Sequence, residues 1–125
     1  MNLVILRGNV GANPQVKNFE NGGKIATFSL ATTERGYTNK EGKEIPDRVV
    51  WHNIVIRRAG LIDVCNMYVG KGSSILVVGK IETREYKDNS GQTRYVTEII
   101  ADELELLGGK EKEQKQEKAD GSIPF

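Results

Sequence analysis

Flat rings and an apolar terminus, rather than nucleophiles, are the chemically capable groups of this chain. His52 and Cys65 are its single imidazole and single thiol. A lone histidine with no acidic or cysteine pattern beside it reads as structural. A lone cysteine excludes an intramolecular disulfide and a multi-cysteine zinc site, and reads as a small buried apolar group. There is no Gly-x-Ser-x-Gly, no P-loop, and no cluster of His, Asp and Glu at ligand spacing. Hydrolysis or group transfer needs a base, a nucleophile or a metal. The expectation is therefore no catalytic residue, no metal, no cofactor and no enzyme activity.

Two features can instead make contacts. The chain ends Asp120-Gly121-Ser122-Ile123-Pro124-Phe125, after a run from Lys110 to Ala119 without a large apolar side chain. Such a run cannot bury enough apolar surface to offset its ordering entropy, so a disordered tail is expected. An Ile-Pro-Phe ending beyond it reads as a hook for another protein. The second feature is Trp51, the single tryptophan. Period-two alternation puts Trp51, Asn53, Val55 and Arg57 on one face of a strand, with His52, Ile54 and Ile56 on the other. The indole thus lies on the more polar face, where a large ring is unsuited to a core.

The elements that must position these groups are mostly strands. Leu3 to Val10 reads as a first strand, broken by Ala12-Asn13-Pro14. Asn21-Gly22-Gly23 signals a turn. Lys24 to Thr33 alternates, with Ala26, Phe28 and Leu30 on one face, and reads as a half-buried second strand. Glu34 to Pro46 is polar and reads as an exposed loop. Val49 to Ile56 is rich in β-branched residues and reads as a third strand. Leu61, Val64, Cys65 and Tyr68 follow helical spacing, ended by Gly70-Lys71-Gly72. Ile75 to Thr83 is a fourth strand, Asp88-Asn89-Ser90-Gly91 a hairpin tip, and Tyr95 to Leu107 a fifth strand bent near Asp102. Five strands with one short helix between the third and fourth fit an all-β, five-stranded OB-fold barrel. A small β-sandwich or an SH3-like barrel fits the same pattern.

Composition sets further bounds. The chain has 125 residues and a net charge of +1. Residues 1–107 carry fourteen Lys and Arg against thirteen Asp and Glu. A nucleic-acid ligand would therefore need its cations gathered on one face. No apolar run approaches the ~18–20 residues of a membrane span, and the first residues lack a secretory signal pattern. A cytoplasmic protein without membrane contact is expected.

Several segments occur together in a telling order: Asn21-Gly22-Gly23, Leu30-Ala31-Thr32, Trp51-His52, Lys71-Gly72-Ser73, Asp88 to Tyr95, and the terminal Ile-Pro-Phe. In that order they resemble the bacterial and phage single-stranded DNA-binding proteins. The resemblance covers residues 1–107 and returns at the last residues. It implies an OB-fold domain over 1–107 that forms a homotetramer and wraps single-stranded DNA. It also implies a flexible polar linker over 108–119, and a tip over 120–125 that recruits replication, recombination and repair proteins. A nucleoid-associated place in the cytoplasm follows.

Sequence-independent binding of a single strand needs flat side chains for base stacking and cations for phosphates. By the resemblance, Trp51 is the stacking tryptophan of the third strand. Tyr86 stands where the family usually has a second tryptophan, flanked by Arg84, Lys87 and Arg94 as a phosphate track. Tyr37 falls near a third family aromatic, with Gly36 the other candidate in that alignment. Arg57 departs from the family, which often carries a stacking Phe there. A guanidinium plane also stacks on bases and adds charge, so steeper salt dependence is expected. The alternative for Arg57 is a surface pair with an acid. Arg7 is a further phosphate candidate. His52 is expected at a subunit interface or in the core. The tip departs too, because Asp120 stands alone where many members carry several acids. Asp120, Ile123, Pro124 and Phe125 are the expected partner contacts, with the Phe125 ring in an apolar pocket and its carboxylate clamped by a cation.

Two functions compete. One is a sequence-independent single-strand binder that protects DNA and delivers partners. The other is an OB-fold replication-restart adaptor that works mainly by protein contacts.

Overall fold

The computed structural model describes residues 1–108 of the chain. The expected linker and the tip residues Asp120, Ile123, Pro124 and Phe125 lie outside the described residues. Five long strands appear near where the sequence placed them: β1 (Val4–Val10), β3 (Lys24–Glu34), β6 (Arg48–Ile56), β7 (Ser74–Lys87) and β8 (Thr93–Leu106). Three short ones join them: β2 (Gln15–Asn18), β4 (Tyr37–Thr38) and β5 (Glu44–Ile45). The main sheet runs β1-β7-β8-β6-β3-β2, and β1 also pairs with β3. That pairing, Asn9 opposite Ala31 and Val10 opposite Leu30, closes five strands into a barrel and removes their edges. Closure decides for the barrel over the open sandwich.

The inward residues are the apolar phase of each strand. Ala26 and Leu30 of β3, Ile54 and Ile56 of β6, and Ile75 and Val77 of β7 are fully buried, and Phe28 nearly so. The helix α1 (Ala59–Tyr68) plugs this interior with Ile62 and Cys65. Here the helical spacing misplaced the face. Val64 and Tyr68, expected with Leu61 and Cys65 on the core side, are exposed. The buried row is Ile62, Cys65 and the following Val69. Ten residues leave room for only one narrow apolar contact with a barrel end, so a broader stripe remains in water. The Gly70-Lys71-Gly72 stop is as expected: Gly72 takes φ +88° and its N–H donates to the Val10 carbonyl at 2.7 Å.

The bend near Asp102 is a β-bulge. Gly79 faces Ala101 and Val78 faces Glu103, which leaves Asp102 unpaired. An extra residue reverses the in–out phase of the strand beyond it. Ile99 and Ala101 point inward before the bulge and Leu104 packs on the core after it.

Two spans differ from expectation. The polar segment 34–46 is exposed, yet it forms a small ribbon of β4 and β5, with Tyr37 opposite Ile45. The β7–β8 hairpin extends to Lys87 and Thr93, beyond the Thr83 and Tyr95 limits read from sequence. Its outer arm is mostly exposed on both faces, so no apolar alternation marks it. No helix among the described residues is long and apolar enough to cross a membrane.

Ile54 tests the core assignment. Ile54→Ala is expected to lower unfolding stability by ~2–5 kcal/mol, read as a fall in the urea midpoint. A loss under ~1 kcal/mol would mean that this phase of β6 is not the core.

Candidate nucleic-acid interface

The outward phase of the same strands makes one continuous surface. On β6 it shows Trp51, Asn53 and Val55, with Arg57 just past the strand end. Across the β3 ladder, Ala31 stands opposite Trp51, Ser29 opposite Asn53 and Thr27 opposite Val55. On the other side, the parallel β6–β8 pairing sets Val55 against Ile100, and both are buried although outward. From Ile100 the phase continues through Glu98, Val96 and Arg94. Their β7 partners are Lys80, Glu82, Arg84 and Tyr86 in turn. Residues directly opposite share a face, so Trp51 and Tyr86 lie on one surface with Arg57 and Arg84 between them.

Trp51 is 60% exposed, and its indole lies over a glycine. A Cβ on Gly11 would sit 2.5 Å from the indole Cζ3 and 2.8 Å from Ser29 Oγ. Gly11 therefore seats the ring, a role that no motif in the sequence signalled. Next to this seat is a groove of about 370 Å³ lined by Asn13, Gln15, Thr27, Ser29, Asn53 and Glu98 among others. Its amides and hydroxyls offer both donors and acceptors to a flat polar ligand.

Three arginines of this surface hold acids. Arg57 Nη2 donates to Glu82 Oε1 at 3.0 Å, which is the acid-paired alternative read from sequence. Arg84 donates to both oxygens of Glu98, at 3.0 and 3.2 Å. Its guanidinium carbon stands 5.9 Å from the Tyr86 ring centre, within cation–π range. The hydrogen bond to Glu98, then its charge, pushes the Arg84 pKa up from the ordinary value. Arg94 donates to Asp88 Oδ2 at 2.9 Å. Neither Glu82 nor Glu98 was anticipated from sequence. The available signal was an acid at position 98 directly preceding the apolar Ile99-Ile100-Ala101.

The remaining expected residues are more scattered. Lys87 neighbours Tyr86 on the strand and so points to the opposite face of the arm. Arg7 shares the outward phase of β1 with Asn9, whose partner Ala31 stands opposite Trp51. Neither Lys87 nor Arg7 has an ion-pair partner among the described residues. Tyr37 is 64% exposed on β4. Gly36, the other candidate, packs against the Ile45 carbonyl so closely that no side chain fits, and its N–H donates to Asp47 Oδ1 at 2.7 Å. His52 is half-buried, its Nε2 2.9 Å from Thr32 Oγ1.

Comparison with known proteins points to one family. The model of the single-strand binding protein family matches residues 1–107. The chain is 51% identical over 110 residues to a single-stranded DNA-binding protein of Bacteroides thetaiotaomicron, covering 88% of this chain and 68% of the relative. It is 43% identical over 100 residues to one of Rickettsia felis, covering 80% of this chain and 65% of the relative, just under two thirds. Among solved structures, the Plasmodium falciparum SSB complex with ssDNA superposes with a TM-score of 0.78 at 34% identity. That match covers 86% of this chain and 96% of the other.

Two outcomes are expected at this surface. Gly11→Ala should tilt the indole off its seat and shift the emission of the folded protein, and an unchanged spectrum would deny the contact. At the hairpin tip, hydrogen bonds from Ser90, Arg94 and the Gln92 N–H hold the Asp88 carboxyl down to about 2, from 3.8. A depressed carboxyl keeps its contacts above the ordinary value and loses them as pH falls through the lowered one. The Ser90 and Gln92 amide shifts should therefore hold down to pH ~3 and move only near pH ~2.

Proposed function

The chain belongs to the single-strand binding protein family, and from that premise we propose that it binds single-stranded DNA without reading base sequence. The observation that carries this reading is the unbroken outward phase from Trp51 through Arg57 and Arg84 to Tyr86. Bases stack on the exposed rings, and every base has a π-face, so order of bases matters little. Tyr37 on the β4–β5 ribbon adds a third ring. Phosphates meet Arg7 and the donors left on Arg57, Arg84 and Arg94. The Arg57–Glu82 pair works against a steep salt dependence, because a cation that already holds an acid brings less net charge to the strand.

The proposal extends to assembly and partners. A homotetramer is supported by Leu3 and Ile5, large apolar side chains exposed beside and on β1. In such an assembly His52 sits at the core edge or a subunit contact. The tip Asp120, Ile123, Pro124 and Phe125 recruits replication, recombination and repair proteins, and the protein works in the cytoplasm on nucleoid DNA without catalysing a reaction. The self-paired arginines favour one second reading, a replication-restart adaptor with weak DNA affinity and a tight protein partner.

Titration with oligo-dT, followed by Trp51 emission at two salt concentrations with duplex DNA as control, separates the two. Strong quenching by the single strand alone is expected. Trp51→Ala should lose ~1–3 kcal/mol of binding, and an unchanged affinity in the folded variant would mean the stacking face is elsewhere. Removing Ile123 to Phe125 should abolish partner capture and leave DNA affinity intact or slightly higher. A large loss of DNA affinity would sink the hook.

A further inference from the structure

Glu98 stands apart among the charged residues of this surface. It is 9% exposed, the one charged residue among the described residues that is buried. A buried carboxylate is unfavourable unless paired and hydrogen-bonded, and Glu98 is both, through the two-pronged contact from Arg84. Its direct cross-strand neighbour makes the position harder still. Glu82 faces Glu98 across the ladder, and like charges directly opposite repel. Each acid is accordingly held by its own arginine, Glu82 by Arg57 and Glu98 by Arg84. The two pairs differ in what they hold. Glu82 is only partly buried and makes a single contact, whereas Glu98 grips Nε and Nη2 together. Two parallel bonds fix the guanidinium plane as one bond cannot. The plane so fixed lies beside Tyr86.

We propose that Glu98 is a positioning residue for single-strand binding: from its buried place on β8 it fixes the Arg84 plane over the Tyr86 ring, so that guanidinium and phenol present one preformed stacking step. The inference rests on the DNA-binding reading above and adds a residue that touches no base in it. Arg84 then works chiefly as an oriented plane with its Nη1 donors free, and only weakly as a cation, because Glu98 cancels its charge locally. A strand docking there finds the flat surface already assembled and releases few counterions from it.

The test is a double-mutant cycle between positions 98 and 86 on the full chain, with oligo-dT as probe and a salt series for each variant. In the parent, Tyr86→Ala should weaken binding ~5–150-fold, the range for one stacked base. In Glu98→Gln, which keeps the shape but removes the charge, that penalty should fall to about twofold or less, because the ring has lost its partner plane. The same variant should steepen the log–log salt slope by ~0.7, one uncancelled cation on a single strand. A purely structural Glu98 would lower the melting temperature and move neither readout. Arg84→Lys covers the case in which Glu98→Gln is too unstable to assay. It keeps the charge beside Glu98 but not the plane, so the slope should hold while the Tyr86 penalty falls. A parent-sized Tyr86 penalty in either variant, or an unchanged slope in Glu98→Gln, overturns the inference alone. A parent protein that does not bind oligo-dT overturns the DNA-binding reading, and this inference with it.

Discussion

Ile54 of β6 stands opposite Phe28 on β3 and opposite Ile99 on β8, and the surface depends on that double register. Side chains alternate with period two, so a slip of one residue in either ladder would carry Ile54 and Ile56 to water and Trp51 into the core. The apolar phase makes such a slip expensive, and the β1–β3 closure ties the far edge so that β3 cannot drift. With the register held, the outward row is set without further choice: Trp51, Asn53, Val55, Arg57. Only the seating of the indole needs something more. Gly11 supplies it by leaving out a side chain where the ring must lie.

The bulge at Asp102 lets one strand serve both surfaces. Without it, the phase that buries Ile99 and Ala101 would continue to Glu103 and Glu105, two carboxylates aimed into the barrel. The extra residue turns them out and brings Leu104 onto the core instead. The displaced backbone is not left idle, since the Asp102 carbonyl accepts from Arg58 Nη1 at 3.3 Å. Beyond the barrel, the β7–β8 arm is kept in shape by its tip, where Asp88 Oδ1 accepts from the Ser90 and Gln92 N–H groups. Tyr86 and Arg84 therefore project from a ribbon braced at both ends.

How much of this the sequence disclosed follows from what each segment buries. The five long strands were readable because a closed barrel has a wet and a dry face, recorded as an apolar run in β1, as alternation in β3 and as β-branched content in β6. The outward place of Trp51 came from the same signal. The arm beyond Thr83 was not readable, since both its faces meet water. The helix face was misread because Val64 and Tyr68 are apolar yet exposed, and periodicity reports polarity rather than contact. The short β2, β4 and β5 pieces leave no periodic trace at that length. Gly11 and Glu98 were missed for another reason. Each acts through a single long-range neighbour, Trp51 and Arg84 respectively, and a one-dimensional pattern carries no information about such pairs.

Charge is where the three-dimensional arrangement changes the argument most. A domain with nearly equal numbers of cations and acids invites the view that its cations must be segregated to hold a polyanion. On this surface three of them are instead paired with acids: Arg57 with Glu82, Arg84 with Glu98, Arg94 with Asp88. A phosphate approaching one of these three would meet a partly cancelled charge, whereas Arg7 and Lys80 have no ion-pair partner among the described residues. Planarity survives pairing, however, and a guanidinium whose charge is offset by a carboxylate still offers a flat face and unused N–H donors. Stacking is tolerant of base identity and insensitive to net charge. On the single-strand-binding reading proposed above, a near-neutral barrel would hold the strand by its rings and paired planes, with the unpaired cations, such as Arg7 and Lys80, steering the backbone.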